Sequence, residues 1–242
     1  MNQAAAGEFL GTMVLILLGN GVVGGVLLSR SKAEGAGWLA IATGWALAVF
    51  AGVAVAISMG DADAHLNPAF TVASVLMTGH AERLMTYIPA QILGAMLGAV
   101  LVWLFYLPHW AVTQDQGKKL ACFSTSPAIR SYGSNFVSEL IGTFVLVLLA
   151  SALFSRRIAP GGLAPYLGAP LVGGVVWSIG LSLGATTGYA INPARDLGPR
   201  LVHSFLPIAG KGSSDWAYAW VPILGPICGG IVAALIIRWA GI

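Results

Sequence analysis

The tripeptide Asn-Pro-Ala stands twice in this chain of 242 residues, as Asn67-Pro68-Ala69 and Asn192-Pro193-Ala194, roughly half a chain apart. Each copy closes a short polar interruption in otherwise apolar sequence. Asn is a favoured helix N-cap and Pro a favoured first helical residue, so each copy can start a helix. Two helix starts at matching places in two apolar halves predict paired broken helices around a site at a membrane midplane. That arrangement points to transport ahead of other functions.

The rest of the composition agrees. Hydrophobic residues make up 57% of the chain and charged residues 9%, where a soluble domain carries about 25% charge. That is too little charge to cover a water-facing surface, so the chain is read as an integral membrane protein embedded in a lipid bilayer. Its 12 Lys and Arg give a net charge of +3 and form no basic cluster, which argues against nucleic acid as a partner. The 32 glycines suit close helix–helix contact in lipid. Cys122 lies in a polar connection and Cys228 in an apolar span; a disulfide is not expected, and neither has metal-ligand spacing. No metal or cofactor is implied. Residues 1–29 lack a positive stretch before the apolar run, so the first span is expected to be retained.

A helix needs about 20 apolar residues to cross the hydrocarbon core. Six segments qualify: Ala5–Leu28, Trp38–Met59, Met85–Leu107, Phe136–Phe154, Leu167–Ala185 and Trp216–Trp239. Two shorter stretches, Pro68–Thr78 and Pro193–Phe205, cannot span and are expected to enter and stop. Non-helical backbone at such depth survives only when buried or lining a wet path. The halves also repeat: Glu8-Phe9-Leu10-Gly11-Thr12 in the first span matches Glu139-Leu140-Ile141-Gly142-Thr143 in the fourth. Three spans and one half-helix make a unit, and an odd number of crossings inverts the second copy. The expected organisation is one domain over residues 1–242, with repeats of about 1–107 and 134–242 joined by a connection at 108–133. The fold class is all-α: six transmembrane helices and two re-entrant half-helices.

Charge counting opposes the orientation with cytoplasmic termini. The inside then carries Arg83, Arg156, Arg157 and Arg238. The outside carries Arg30, Lys32, Lys118, Lys119, Arg130, Arg195, Arg200 and Lys211. The positive-inside rule favours the reverse, even after the half-helix residues Arg195 and Arg200 are discounted.

His65-Leu66-Asn67-Pro68-Ala69 and the run from Gly188-Tyr189-Ala190-Ile191-Asn192 through Pro193-Ala194-Arg195-Asp196 to Arg200 resemble the major intrinsic protein family of aquaporins and aquaglyceroporins. The resemblance covers essentially the whole chain. Within the family it looks like the glycerol facilitator branch. The cues are Asp196 directly after Arg195, the prolines 222 and 226 opening the last span, and a longer segment before it.

The resemblance implies roles for these residues. Asn67 and Asn192 would donate side-chain N–H groups to a passing oxygen at the pore centre. Independently of family, two half-helix N-termini facing one point, each carrying roughly +0.5 charge, raise a barrier to cations and proton hopping. Arg195 would be the cationic member of a selectivity constriction completed by Trp45, Gly180 and Tyr189. Trp45 and Tyr189 would form an apolar corner for the C–H edge of glycerol, Arg195 would bind hydroxyls opposite, and Gly180 would supply width. Backbone carbonyls of Ala64, His65, Leu66, Gly188, Tyr189 and Ala190 would form a polar track. Glu8, Glu139 and Asp196 would brace the loops, and the His65 ring would do so too. Relatives commonly form homotetramers with one pore per subunit, which the resemblance carries over; the short N-terminal stretch without a targeting extension fits a bacterial cytoplasmic membrane.

Two departures stand out. Tyr189 replaces the usual Phe and adds a hydroxyl to an apolar corner, which predicts greater permissiveness to water or small polar solutes. Asp63 replaces a usual Gly in Gly60-Asp61-Ala62-Asp63-Ala64, a position where a positive φ is expected. The two carboxylates, Asp61 and Asp63, fit solvation or loop bracing best. The implied function is passive conduction of glycerol and similar small uncharged solutes with some water, without covalent chemistry. Close variants conduct mainly water, urea, undissociated lactic acid or neutral metalloid hydroxides. A proton-coupled secondary transporter also uses inverted repeats but saturates and responds to ΔpH. An intramembrane enzyme lacks support: no HExxH or serine-based motif occurs.

Overall fold

The structure is a computed structural model that describes residues 2–164 and 167–241; the outermost residues of the expected domain fall outside it. Among the described residues there are ten helices and no strand. In chain order they are α1 (Gln3–Leu27), α2 (Gly37–Ser58), α3 (Pro68–Thr78), α4 (Glu82–Phe105), α5 (Leu107–Val112), α6 (Gln116–Ala121), α7 (Tyr132–Phe154), α8 (Gly168–Ser182), α9 (Pro193–Phe205) and α10 (Val221–Ala240).

The half-helices α3 and α9 have the bounds expected from sequence, because their starts are set by local chemistry. Asn67 and Asn192 are extended N-caps, and the following Pro lacks the N–H that would otherwise be unsatisfied. The Asn67 side chain accepts from Ala69 N at 2.9 Å, and Asn192 accepts from Ala194 N at 3.0 Å. α3 stops at Gly79, whose φ of 83° suits glycine alone among common residues.

Three boundaries differ from expectation. Among the described residues five helices are long and apolar enough to cross a membrane, but α8 has only 15 residues rather than the length of Leu167–Ala185. Its last turn gives way at Leu183 to turns that lead into the second re-entrant loop. The last span starts at Val221 rather than Trp216, with Pro222 in its first turn. The 108–133 connection is not plain loop: it holds α5 and α6, the latter capped by Asp115 accepting from Lys118 N at 3.1 Å.

α1 packs against α2 and α4, and α7 against α8 and α10, while α2 against α8 joins the halves. Each half-helix docks chiefly on the other half: α3 lies on α10 and α9 on α4. Glycines permit the tightest helix contacts at equivalent places. A methyl group at Gly94 would strike the Phe9 carbonyl, and one at Gly229 the Leu140 carbonyl. The outer surface is apolar, with Met85 80%, Phe105 76% and Trp239 88% exposed. In water such a surface aggregates; in lipid it is the required exterior.

Candidate functional site

The two re-entrant loops meet at the centre through their asparagines. Asn67 Nδ2 donates to the Ile191 carbonyl at 2.8 Å, and Asn192 Nδ2 donates to the Leu66 carbonyl at 2.7 Å. Each amide nitrogen has a second N–H, and both residues line the same cavity. The half-helix N-termini therefore abut, each fastened to the loop of the opposite repeat.

The backbone leading to each asparagine alternates in hand. Ala64 (φ 45°) and Leu66 (φ 51°) precede Asn67; Tyr189 (φ 36°) and Ile191 (φ 43°) precede Asn192. Left-handed geometry costs a non-glycine residue roughly 1–2 kcal/mol, so four such residues need an external hold. Glu8 supplies it in the first loop, accepting from His65 N and Leu66 N, both at 2.7 Å. Glu139 supplies it in the second, accepting from Ala190 N at 2.9 Å and Ile191 N at 2.8 Å. Both carboxylates are buried, Glu8 on α1 and Glu139 at the matching place on α7. Gln91, absent from the sequence expectations, braces Glu8 at 2.8 Å and Thr71 at 3.0 Å. The His65 ring meets Thr71 Oγ1 at 3.1 Å and packs on Phe70 and Tyr87.

These contacts give an expected result. In Glu139→Gln or Glu8→Gln only one oxygen remains where two N–H groups converge, and the new NH₂ faces a donor. Each change should cost about 1–3 kcal/mol, read as a lower Tm in detergent. Tm values equal to wild type in both variants would overturn the bracing role.

The loop carbonyls are partly engaged at the centre. The Leu66 carbonyl already accepts from Asn192, and Ile191, not anticipated, supplies the equivalent acceptor for Asn67. Ala64, His65, Leu66, Tyr189 and Ala190 line the cavity; Gly188 does not, and its side faces Thr125.

Trp45, Tyr189 and Arg195 come together at one end of this cavity, each at most 6% exposed. The Arg195 guanidinium lies over the Trp45 ring, 4.2 Å from its centroid, rather than across an open gap from it. Its NH1 is 3.5 Å from the Phe123 carbonyl. At Gly180 the space left by the absent side chain is taken up by a neighbouring ring. A methyl there would fall 2.9 Å from the Tyr189 hydroxyl, so the phenol occupies the space that glycine leaves. The hydroxyl is buried and, among the described residues, has no hydrogen-bond partner.

The cavity has a volume of about 760 Å³. It opens at the face that carries the chain termini, between Thr78, Arg83, Phe154 and Arg156, and narrows to Trp45, Tyr189 and Arg195. No residue of the 107–131 connection lines it. At the open mouth Asp63 pairs with Arg83 at 2.5 Å and accepts from the Tyr87 hydroxyl at 3.2 Å. The expected positive φ is not at Asp63; it falls on Ala64 and Gly60. Asp61 is fully buried and accepts from Asp63 N and Tyr87 OH, both at 3.3 Å, and burial raises its carboxyl above the ordinary range. Bracing, not solvation, describes Asp61.

Behind the constriction, Asp196 accepts from Thr125 N at 2.8 Å and Thr125 Oγ1 at 2.7 Å. It also accepts from Arg200 Nε at 2.7 Å and NH2 at 3.0 Å. Arg200 further reaches the carbonyls of Ser214, Asp215 and Thr125 at 2.7, 3.1 and 2.9 Å. It is wholly buried, and sequence reading assigned it no role. Its spacing of four from Asp196 was the available signal.

The chain is similar to known proteins along nearly its whole length. A family model described as Major intrinsic protein matches residues 1–237. The probable glycerol uptake facilitator protein of Thermotoga maritima is 52% identical over 233 residues, 96% of this chain and 97% of that one. The glycerol uptake facilitator protein of Streptococcus pneumoniae is 51% identical, covering 95% and 96%. The X-ray structure of the aquaglyceroporin from Plasmodium falciparum aligns at TM-score 0.83 and 30% identity, over 97% of this chain and 94% of that one. With residues 1–237 matched and its two half-helices joined at the centre, the chain belongs to the major intrinsic protein family.

Proposed function

We propose that this protein is a passive channel for glycerol and other small uncharged solutes, with some water permeability, in the bacterial plasma membrane. The observation that carries the reading is the reciprocal fastening of Asn67 and Asn192, which sets two helix N-termini tip to tip on one cavity. The names of the relatives at about half identity support glycerol as the solute.

The site acts by replacing hydration. The second N–H of each asparagine donates to the solute oxygen, while the loop carbonyls accept from its hydroxyl hydrogens. At the constriction Arg195 donates to hydroxyls, and the faces of Trp45 and Tyr189 meet the C–H edge. Passage moves the guanidinium off the Trp45 face. Cations meet the fixed charge of Arg195 and the two positive helix ends, and a neutral solute meets neither as a barrier. Glu8, Glu139 and Asp196 hold the loops and do not touch solute. The working assembly is a homotetramer with a pore in each subunit.

Stopped-flow light scattering on proteoliposomes tests this with glycerol, water, urea and lactic acid below its pKa. Glycerol flux should exceed that of empty vesicles, rise linearly with gradient and ignore ΔpH. Saturation together with ΔpH dependence would instead indicate a coupled transporter. Flux of water alone, or of urea or lactic acid without glycerol, would replace the glycerol assignment.

A further inference from the structure

We infer that Trp38 is a positioning residue for the constriction: its indole clasps the Tyr189 ring against α8 and thereby sets which solutes fit. The inference rests on the channel reading above and concerns a residue outside the duplicated motifs.

Trp38 sits in the first turn of α2, at the face opposite the termini. Its Nε1 donates to the Gly180 carbonyl at 2.9 Å. That carbonyl belongs to the last turn of α8, where the helix offers no partner of its own. The bond therefore ties the start of α2 to the end of the short helix beside the constriction. The same indole meets the Tyr189 ring edge-on, with centroids 5.7 Å apart and planes at 75°.

The slot is fitted to the phenol. A methyl at Gly184 would lie 2.5 Å from Tyr189 Cδ1 and 2.8 Å from the Trp38 ring. One at Gly180 would lie 2.9 Å from the Tyr189 hydroxyl. The two glycines form the floor, and Trp38 closes the open side. Among the described residues the Tyr189 hydroxyl has no hydrogen-bond partner, and packing against Trp38, Gly180 and Gly184 holds the ring. Removing the indole then frees the phenol to swing, which widens the constriction without altering Arg195 or Trp45.

The test compares wild type, Trp38→Phe, Trp38→Ala, Tyr189→Ala and the Trp38→Ala/Tyr189→Ala double variant in proteoliposomes. The readout is the ratio of N-methylurea to glycerol permeability, which does not depend on how much protein is reconstituted. An edge-on aromatic contact is worth about 0.5–1.5 kcal/mol, so Trp38→Ala should raise the ratio about two- to tenfold. Trp38→Phe, which keeps a ring but loses the donor, should shift it less and in the same direction. Adding Trp38→Ala to Tyr189→Ala should change little, because the two act through one ring.

A wild-type ratio in Trp38→Ala overturns the inference, as does a shift that persists in full without Tyr189. If Trp38→Ala fails to reach the membrane, Trp38→Phe decides, and an unshifted ratio there overturns it. Wild-type vesicles that pass N-methylurea but no glycerol sink the glycerol assignment alone; the ratio is then taken against water.

Discussion

Arg200→Met should leave little folded protein in the membrane. The guanidinium is wholly buried and donates to both oxygens of Asp196 and to three backbone carbonyls. Methionine keeps much of the volume and none of the donors. Asp196 would then be a buried carboxylate facing only Thr125, and the carbonyls of Thr125, Ser214 and Asp215 would lose this partner. Breaking a buried pair by removing one partner costs about 3–5 kcal/mol, a large fraction of a typical net stability of 5–15 kcal/mol. The measurement is the Tm and the monodisperse yield in detergent. Because the penalty comes from the stranded charge, adding Asp196→Leu should recover part of the loss. A single variant as stable as wild type would show that Arg200 contributes little to the loop.

Arg195→Leu should have its largest effect on selectivity. The side chain is capped by the Trp45 ring and contacts one carbonyl, with no carboxylate bonded to it in the structure. Its charge thus remains available to the lumen. A unit charge acts on another about 4 Å away with roughly 4 kcal/mol at an effective dielectric of 20. The two helix ends retain part of the barrier, so the leak of small cations should rise by about tenfold or more rather than by the full exponential. Leucine also vacates the Trp45 face, and neutral solute flux should persist. Dye-loaded vesicles under an imposed potential report the leak. Cation tightness equal to wild type would place the barrier wholly at the asparagines.

What was legible in the sequence was what depends on near neighbours along the chain. Asn followed by Pro specifies a helix start, and two such starts gave α3 and α9 to the residue. The matched Glu8 and Glu139 had to find donors, because an acidic residue inside an apolar span is costly without them; that the donors are loop N–H groups came from the family resemblance. Contacts set by tertiary approach were not legible. Nothing in the run around Gly180 says that a phenol nine residues later fills its space, or that Trp38 completes the fit. Gln91 beside Glu8 is likewise visible only once α1 and α4 have packed.

The charge count is instructive for the same reason. Of the eight basic residues assigned to the face opposite the termini, Lys119, Arg195 and Arg200 are buried. Lys119 donates to the Ala209 carbonyl. Lys211 donates to the carbonyls of His203, Ser204 and Leu206, which finish α9, and Arg130 pairs with Asp215. These residues serve as caps and ties. A rule that treats each lysine or arginine as a loose surface charge weighs them all alike.

The docking of α3 on α10 bears on how the chain is made. Translation delivers the first re-entrant segment, yet α10, the helix that shelters it, leaves the ribosome only after α4 to α9 have followed. Until then the apolar stub and its strained turn have no permanent seat in the bilayer. Maturation of the conduit is thus postponed until α10 has emerged, and a nascent chain cut short before residue 221 would present an unsealed stub for proteolytic disposal.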